Sequence, residues 1–308
     1  MQKKLKFKTN IKMKTSVIIF LSLLVTSIVG ILVYFVYLPY IDNKHYQEGK
    51  KLISKFREIK KKDETFNSIK KYYINLDRST DRKESIEEEF RLYGITNYER
   101  VAACDGKNLK STKEGDFGDI KFKAPNDKKS SIGQIATTCS HIKAIKRAYD
   151  NGDELAIIIE DDAKFTLIPY WDKELKELMN ELPDDWEIFR LVSFKIRYFN
   201  LFSNFDKYKN KYQNIYKRIK NGGCAVCYII NRRGIKKFID NYIQDNTIYF
   251  GKKENIIDMD ILNSFNVYDT NKDLFLLESF EHESIIKNNK VISNSLYQSL
   301  QILKSYQI

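Results

Sequence analysis

At 308 residues, with 43% hydrophobic and 31% charged residues, the chain has room for one α/β domain of moderate size plus appendages, and its globular composition excludes a disordered polymer. The net charge of +12 invites a nucleic-acid partner, yet residues 1–70 hold 15 Lys/Arg against 5 Asp/Glu, while residues 71–308 hold 38 against 36. A body so close to neutral lacks the basic face that phosphate-backbone binding needs, so no nucleic-acid partner is expected.

Residues 1–14 form a basic tail with Lys3, Lys4, Lys6, Lys8, Lys12 and Lys14 and no acid. Thr15 to Tyr37 then carries no charge and, followed by Tyr40, continues into bulky aromatics typical of an interfacial belt rather than into a small-residue cleavage site. Residues 15–40 therefore read as a transmembrane signal anchor. The lysine bias predicts a single-pass type II protein whose body lies in the ER or Golgi lumen, or in a virion or host membrane if the source is viral. Residues 41–70 read as a polar stem in which Leu52, Ile53, Phe56 and Ile59 suit a short amphipathic helix.

The body opens with a β-rich run, Lys71 to Asp77, followed by Ser79 to Tyr93, where Ile86, Phe90 and Tyr93 recur at helical spacing behind a Ser/Thr/Asp start. Tyr98 to Ala103 gives a second strand ending at the Asp105-Gly106 turn signal. Ile132 to Tyr149 reads as a helix stopped by Asn151-Gly152. Leu155 to Ile159 is a continuous apolar run, as expected for a strand buried on both faces, and it ends abruptly at Glu160-Asp161-Asp162. Phe199 to Lys220 reads as a surface insertion. Cys224 and Cys227 lie in a strand-like stretch that should point them to opposite faces, as core residues rather than a zinc or redox pair. Strands alternating with helices predict an α/β fold with a mainly parallel central sheet, whose ligands gather at the strands' carboxyl ends.

Alternation along an extended strand puts Glu160 and Asp162 on one face and Asp161 on the other. Two convergent carboxylates suit a hard cation such as Mn²⁺ or Mg²⁺; the competing reading is a solvated acidic turn. Arg78 and Arg82, after the first strand, could reach nucleotide or diphosphate oxygens, or pair with Asp77, Asp81 or Glu84.

In order along the chain stand Asn75-Leu-Asp-Arg78 with Asp81-Arg82, Val101 to Leu109 with its Asp105-Gly106 turn, Gly133 to His141, Leu155 to Asp162, and Gly222 to Phe238. Together these resemble glycosyltransferase family 25, which includes lipopolysaccharide and procollagen galactosyltransferases. The resemblance implies a GT-A-like nucleotide-sugar-binding fold over a catalytic domain at residues 71–290, with 291–308 as a C-terminal tail. It implies inverting transfer of galactose or glucose from a UDP-sugar to a hydroxyl of a glycan, glycolipid or protein. It further implies cofactor-binding roles for Asn75, Arg78, Arg82, Asp105, Ser140, His141 and Asp161, and a metal site at Glu160, Asp162 and His282. The general base would be Asp258 or Asp260. Gln134, Ala136 and Thr137 depart from the Glu, Gly and Cys usual in the third motif, which keeps an inactive binding or assembly module as the alternative. His141 could instead be a residue at the start of a helix, bonded within the fold.

Overall fold

The computed structural model describes residues 62–124, 130–192, 214–218, 224–251, 257, 261–270 and 274–277, together with residues 20, 22–27, 29, 44, 47, 48 and 51. The expected anchor and stem thus fall mostly outside the described residues. Among the described residues no helix is long and apolar enough to cross a membrane, which overturns the expectation of a single-pass type II membrane protein. An uncharged apolar run meets the length condition for a span, but a span also needs that run to form one continuous helix.

Helix α1 (Glu64–Ser68) is capped by Asp63, whose carboxylate accepts the Phe66 N–H at 2.7 Å. Phe66 is already fully buried against Phe165, Trp171 and Phe275, so the folded body includes residues just ahead of Lys71. There follow β1 (Lys70–Asn75), α2 (Thr80–Leu92), β2 (Tyr98–Ala102), β3 (Glu114–Asp116), β4 (Lys121–Lys123) and α3 (Ile132–Asp150). The next elements are β5 (Leu155–Glu160), β6 (Ala163–Lys164), α4 (Leu175–Asn180), β7 (Ile188–Arg190) and β8 (Ile215–Lys217). Last come β9 (Cys227–Asn231), α5 (Arg232–Tyr242), β10 (Ile243–Gln244), β11 (Thr247–Tyr249), β12 (Val267–Thr270) and β13 (Leu276–Leu277).

The central sheet has seven strands in the order β2-β1-β5-β9-β7-β12-β8. Strands β2, β1, β5, β7 and β12 run one way, with β9 and β8 reversed between and beside them. The sheet is mixed rather than all parallel, and this α/β arrangement fits a Rossmann or GT-A-like fold. The expected insertion at 199–220 lies outside the described residues except for its end, which supplies the edge strand β8.

Side chains alternate between two cores. Tyr73, Ile157 and Ile159 face the core that holds Ile86 and Phe90 of α2, whereas Tyr72, Ile158 and Tyr228 face the core of α3 and α5. Cys224 and Cys227 both enter the first of these, against the expectation of opposite faces. The backbone at Cys224 has φ +98 and the strand begins only at Cys227, so strand alternation does not relate them. Both are buried free thiols, and burial pushes the Cys227 thiol far up.

Helix α3 starts with a reciprocal capping box: the Ser131 hydroxyl accepts the Gln134 N–H at 3.2 Å and the Gln134 side chain accepts the Ser131 N–H at 2.8 Å. It ends where Gly152, at φ +77, lets the chain reverse into β5.

Candidate active site

The crossover from β1 through α2 to β2 runs over one face, whereas α3, which leads into β5, covers the other. β2 and β5 therefore flank β1 on opposite sides, and the two connections part company between β1 and β5. Such a switch point leaves a crevice at the strands' carboxyl ends. There the register sets Asn75 of β1 beside Ala102 of β2, and Ile74 beside Glu160 of β5.

Asn75 is buried and works as a hub. Its amide donates to Asp161 at 2.7 Å and to the Ser79 carbonyl at 3.0 Å, and its oxygen accepts from Arg100 at 3.0 Å. Arg100 also reaches the Asn75 carbonyl at 3.2 Å and Asp77 at 2.6 Å. Arg82, on α2, lies 2.5 Å from Asp161 and 3.3 Å from Asp162.

One guanidinium thus gathers two of the three acids, which corrects the expected pairing of Glu160 with Asp162. Strand β5 ends at Glu160 and residues 161–162 form a turn, so alternation stops with the strand. Asp161 does face away from Glu160, into the α2 side.

Glu160 turns the other way. Its carboxylate lies 3.3 Å from His141 Nε2, and His141 Nδ1 lies 3.2 Å from the Tyr228 hydroxyl. The rings of His141 and Tyr228 stack at 5.8 Å between centroids. His141 and Tyr228 are fully buried, whereas the Glu160 side chain is 27% exposed. His141 stands mid-helix on α3, not at the helix start. Burial, reinforced by the Glu160 charge, pushes the Tyr228 phenol well above its ordinary value, so it keeps its proton.

Arg78, in the loop after β1, holds Asp105 in a two-pronged pair at 2.9 and 3.3 Å, clasping that loop to the one after β2. Burial would push the Asp105 carboxyl up, but the Lys107 N–H and the Arg78 guanidinium outweigh it and hold the group below its usual range. Ser140 is 2% exposed and structural: its hydroxyl donates to the Ala136 carbonyl at 2.7 Å and accepts the Cys104 N–H at 2.8 Å.

Asp258, Asp260 and His282 lie outside the described residues. The two aspartates are flanked by Ile257 and Ile261, both buried in the α3 core, and the Ile257 N–H donates to Thr138 Oγ1 at 3.0 Å. Among the described residues no three His, Cys, Asp or Glu side chains come together as a metal set. With Glu160 drawn to His141 and Asp162 to Arg82, the described carboxylates do not fit a divalent ion.

The model of glycosyltransferase family 25 (LPS biosynthesis protein) matches residues 68–262, covering β1 to the segment just before β12. The chain belongs to glycosyltransferase family 25. A "Glycosyltransferase 25 family member" from Anopheles gambiae is 32% identical over 99 residues, which are 30% of this chain and 16% of that protein. In this member of the family, two of the three departures of the third motif have local work. Gln134 completes the α3 capping box, which Gln serves as well as Glu. Ala136 packs at Gly106, where an added Cβ would lie 3.3 Å from its own, so a small residue is needed on both sides.

Two residues escaped the sequence reading. Tyr228 stands in the Tyr-Ile-Ile run of the fifth motif, which was a signal without a role. Arg100 carried none, because only strand pairing brings it to Asn75.

Proposed function

We propose that this glycosyltransferase moves a hexose, galactose or glucose, from a UDP-sugar to a hydroxyl of a glycan, glycolipid or protein, with inversion at the anomeric carbon. The observation that supports the reading is the convergence of Asn75, Arg78, Arg82, Glu160 and Asp161 at the carboxyl ends of β1 and β5, where the family's motifs also meet.

In this reading the Arg78 fork, 35% exposed, exchanges Asp105 for the donor's diphosphate oxygens, which likewise offer a pair of anionic acceptors to the two N–H groups. Arg82, pinned by Asp161 and Asp162, holds the turn after β5 in place beside the donor. Glu160 accepts donor hydroxyls. Asp258 or Asp260 takes the acceptor's proton; their flanking residue Ile257 is tied to Thr138, one helical turn from His141.

The test is UDP release by the full chain with a panel of UDP-sugars, each run with Mn²⁺, with Mg²⁺ and with a chelator. Release from UDP-galactose or UDP-glucose, with Arg78→Ala raising the donor KM about 10- to 100-fold, is the expected result. No release under any condition would sink the reading in favour of an inactive binding or assembly module.

A further inference from the structure

His141 cannot meet a ligand from where it stands, because its side chain has no exposure. Yet both ring nitrogens are used, in a line that runs from the core to the carboxyl end of β5. Three elements build that line. The β5-β9 register sets Tyr228 beside Ile158, and the Glu160 N–H bonds the Val226 carbonyl at 2.8 Å, so Tyr228 and Glu160 share a face beneath α3. Helix α3 lowers His141 between them.

The direction of the hydrogens follows from the ends. A carboxylate only accepts, so Nε2 carries the ring hydrogen and donates to Glu160, and in the neutral ring Nδ1 then accepts from the Tyr228 hydroxyl. The carboxylate is the outward end of the line, 27% exposed, and its oxygens only accept. We propose that His141 is a positioning residue. Backed by Tyr228, it fixes the Glu160 carboxylate so that it accepts a hydroxyl pair of the sugar nucleotide, and His141 itself touches neither donor nor acceptor. The inference rests on the transferase reading of the same crevice.

A residue that merely fills the core and one that positions Glu160 respond differently to two substitutions. His141→Leu fills the volume without a donor, whereas His141→Gln keeps an N–H that reaches toward Glu160. His141→Leu should lower kcat/KM for the donor at least about 30-fold, matching Glu160→Gln, and the double variant should lose no more than the worse single. His141→Gln should stay within about fivefold of the parent. Core filling gives the opposite order, with Leu tolerated; that order, or additive losses, overturns the proposal. Imidazole nitrogen NMR on the full chain, which holds only His45, His141 and His282, decides the matter without turnover. The His141 signal, identified by its loss in His141→Gln, should show the Nε2-protonated tautomer and move in Glu160→Gln and Tyr228→Phe. An Nδ1-protonated ring, or one indifferent to both changes, overturns it. If no UDP-sugar is turned over, the proposed function fails while the spectra still decide the role of His141.

Discussion

Within the acidic triplet the carboxylates differ in partner and in burial: Glu160 faces His141, whereas Asp161 and Asp162 share Arg82. Asp161 is the most enclosed, 8% exposed, and bonds Asn75 and Arg82 together. Replacing it by Asn keeps the shape but leaves the Arg82 guanidinium facing a neutral amide. Asp161→Asn should cost about 1–3 kcal/mol, the scale of a charged hydrogen bond lost in a buried place, and thermal melts would register it. Asp162, beside the same guanidinium but 26% exposed, should cost less on the same substitution. Equal melting losses for the two would show that Arg82 does not distinguish them. Triplet and motif were legible along the chain, but the division of labour was not, since a turn rather than a strand carries the second and third acids.

Among the elements, α5 is held to the sheet at one point that admits no side chain. Its N-cap Asn231 accepts the Gly234 N–H at 2.9 Å, and its amide donates to the Trp186 carbonyl at 2.6 Å, tying the helix start to the residues before β7. A Cβ at Gly234 would lie 2.7 Å from the Glu187 carbonyl oxygen, closer than any real Cβ contact, and the obstacle is backbone that cannot turn aside. Gly234→Ala should therefore push α5 from β7 and destabilise the fold by about 1–3 kcal/mol, despite the better helix propensity of Ala. A denaturation midpoint equal to the parent's would mean that the helix shifts at no cost. Helix α3 teaches the converse: its start at Ile132 and its stop at Gly152 were visible in the sequence, because capping residues and a positive-φ glycine act locally.

Across the whole molecule, a deeply buried charge pair ties β7 to its neighbour β12. Arg190 of β7 donates to Asp269 of the neighbouring β12 at 2.6 and 2.7 Å and to the Cys224 carbonyl at 3.0 Å, with both side chains almost wholly enclosed. Removing one partner leaves the other charged and buried. Arg190→Met should cost about 3–5 kcal/mol in chemical denaturation, and adding Asp269→Leu should recover much of that loss. A double variant no more stable than Arg190→Met would show that the pair also sets how β7 and β12 meet.

The sequence by itself determined the family, through motifs in fixed order, and it determined the α/β class, through strands and helices whose periods are local properties. It also pointed to the carboxyl ends of β1 and β5 as the candidate site, because apolar runs ending in polar residues mark where strands stop. Only the tertiary structure decided which partners those residues take. Asn75 meets Asp161, Arg82 meets two acids and His141 meets Glu160 across 86, 79 or 80, and 19 residues of chain. Hydrogen bonds between such distant positions depend on the strand order and on which face each helix covers, and neither is encoded in any short stretch of sequence.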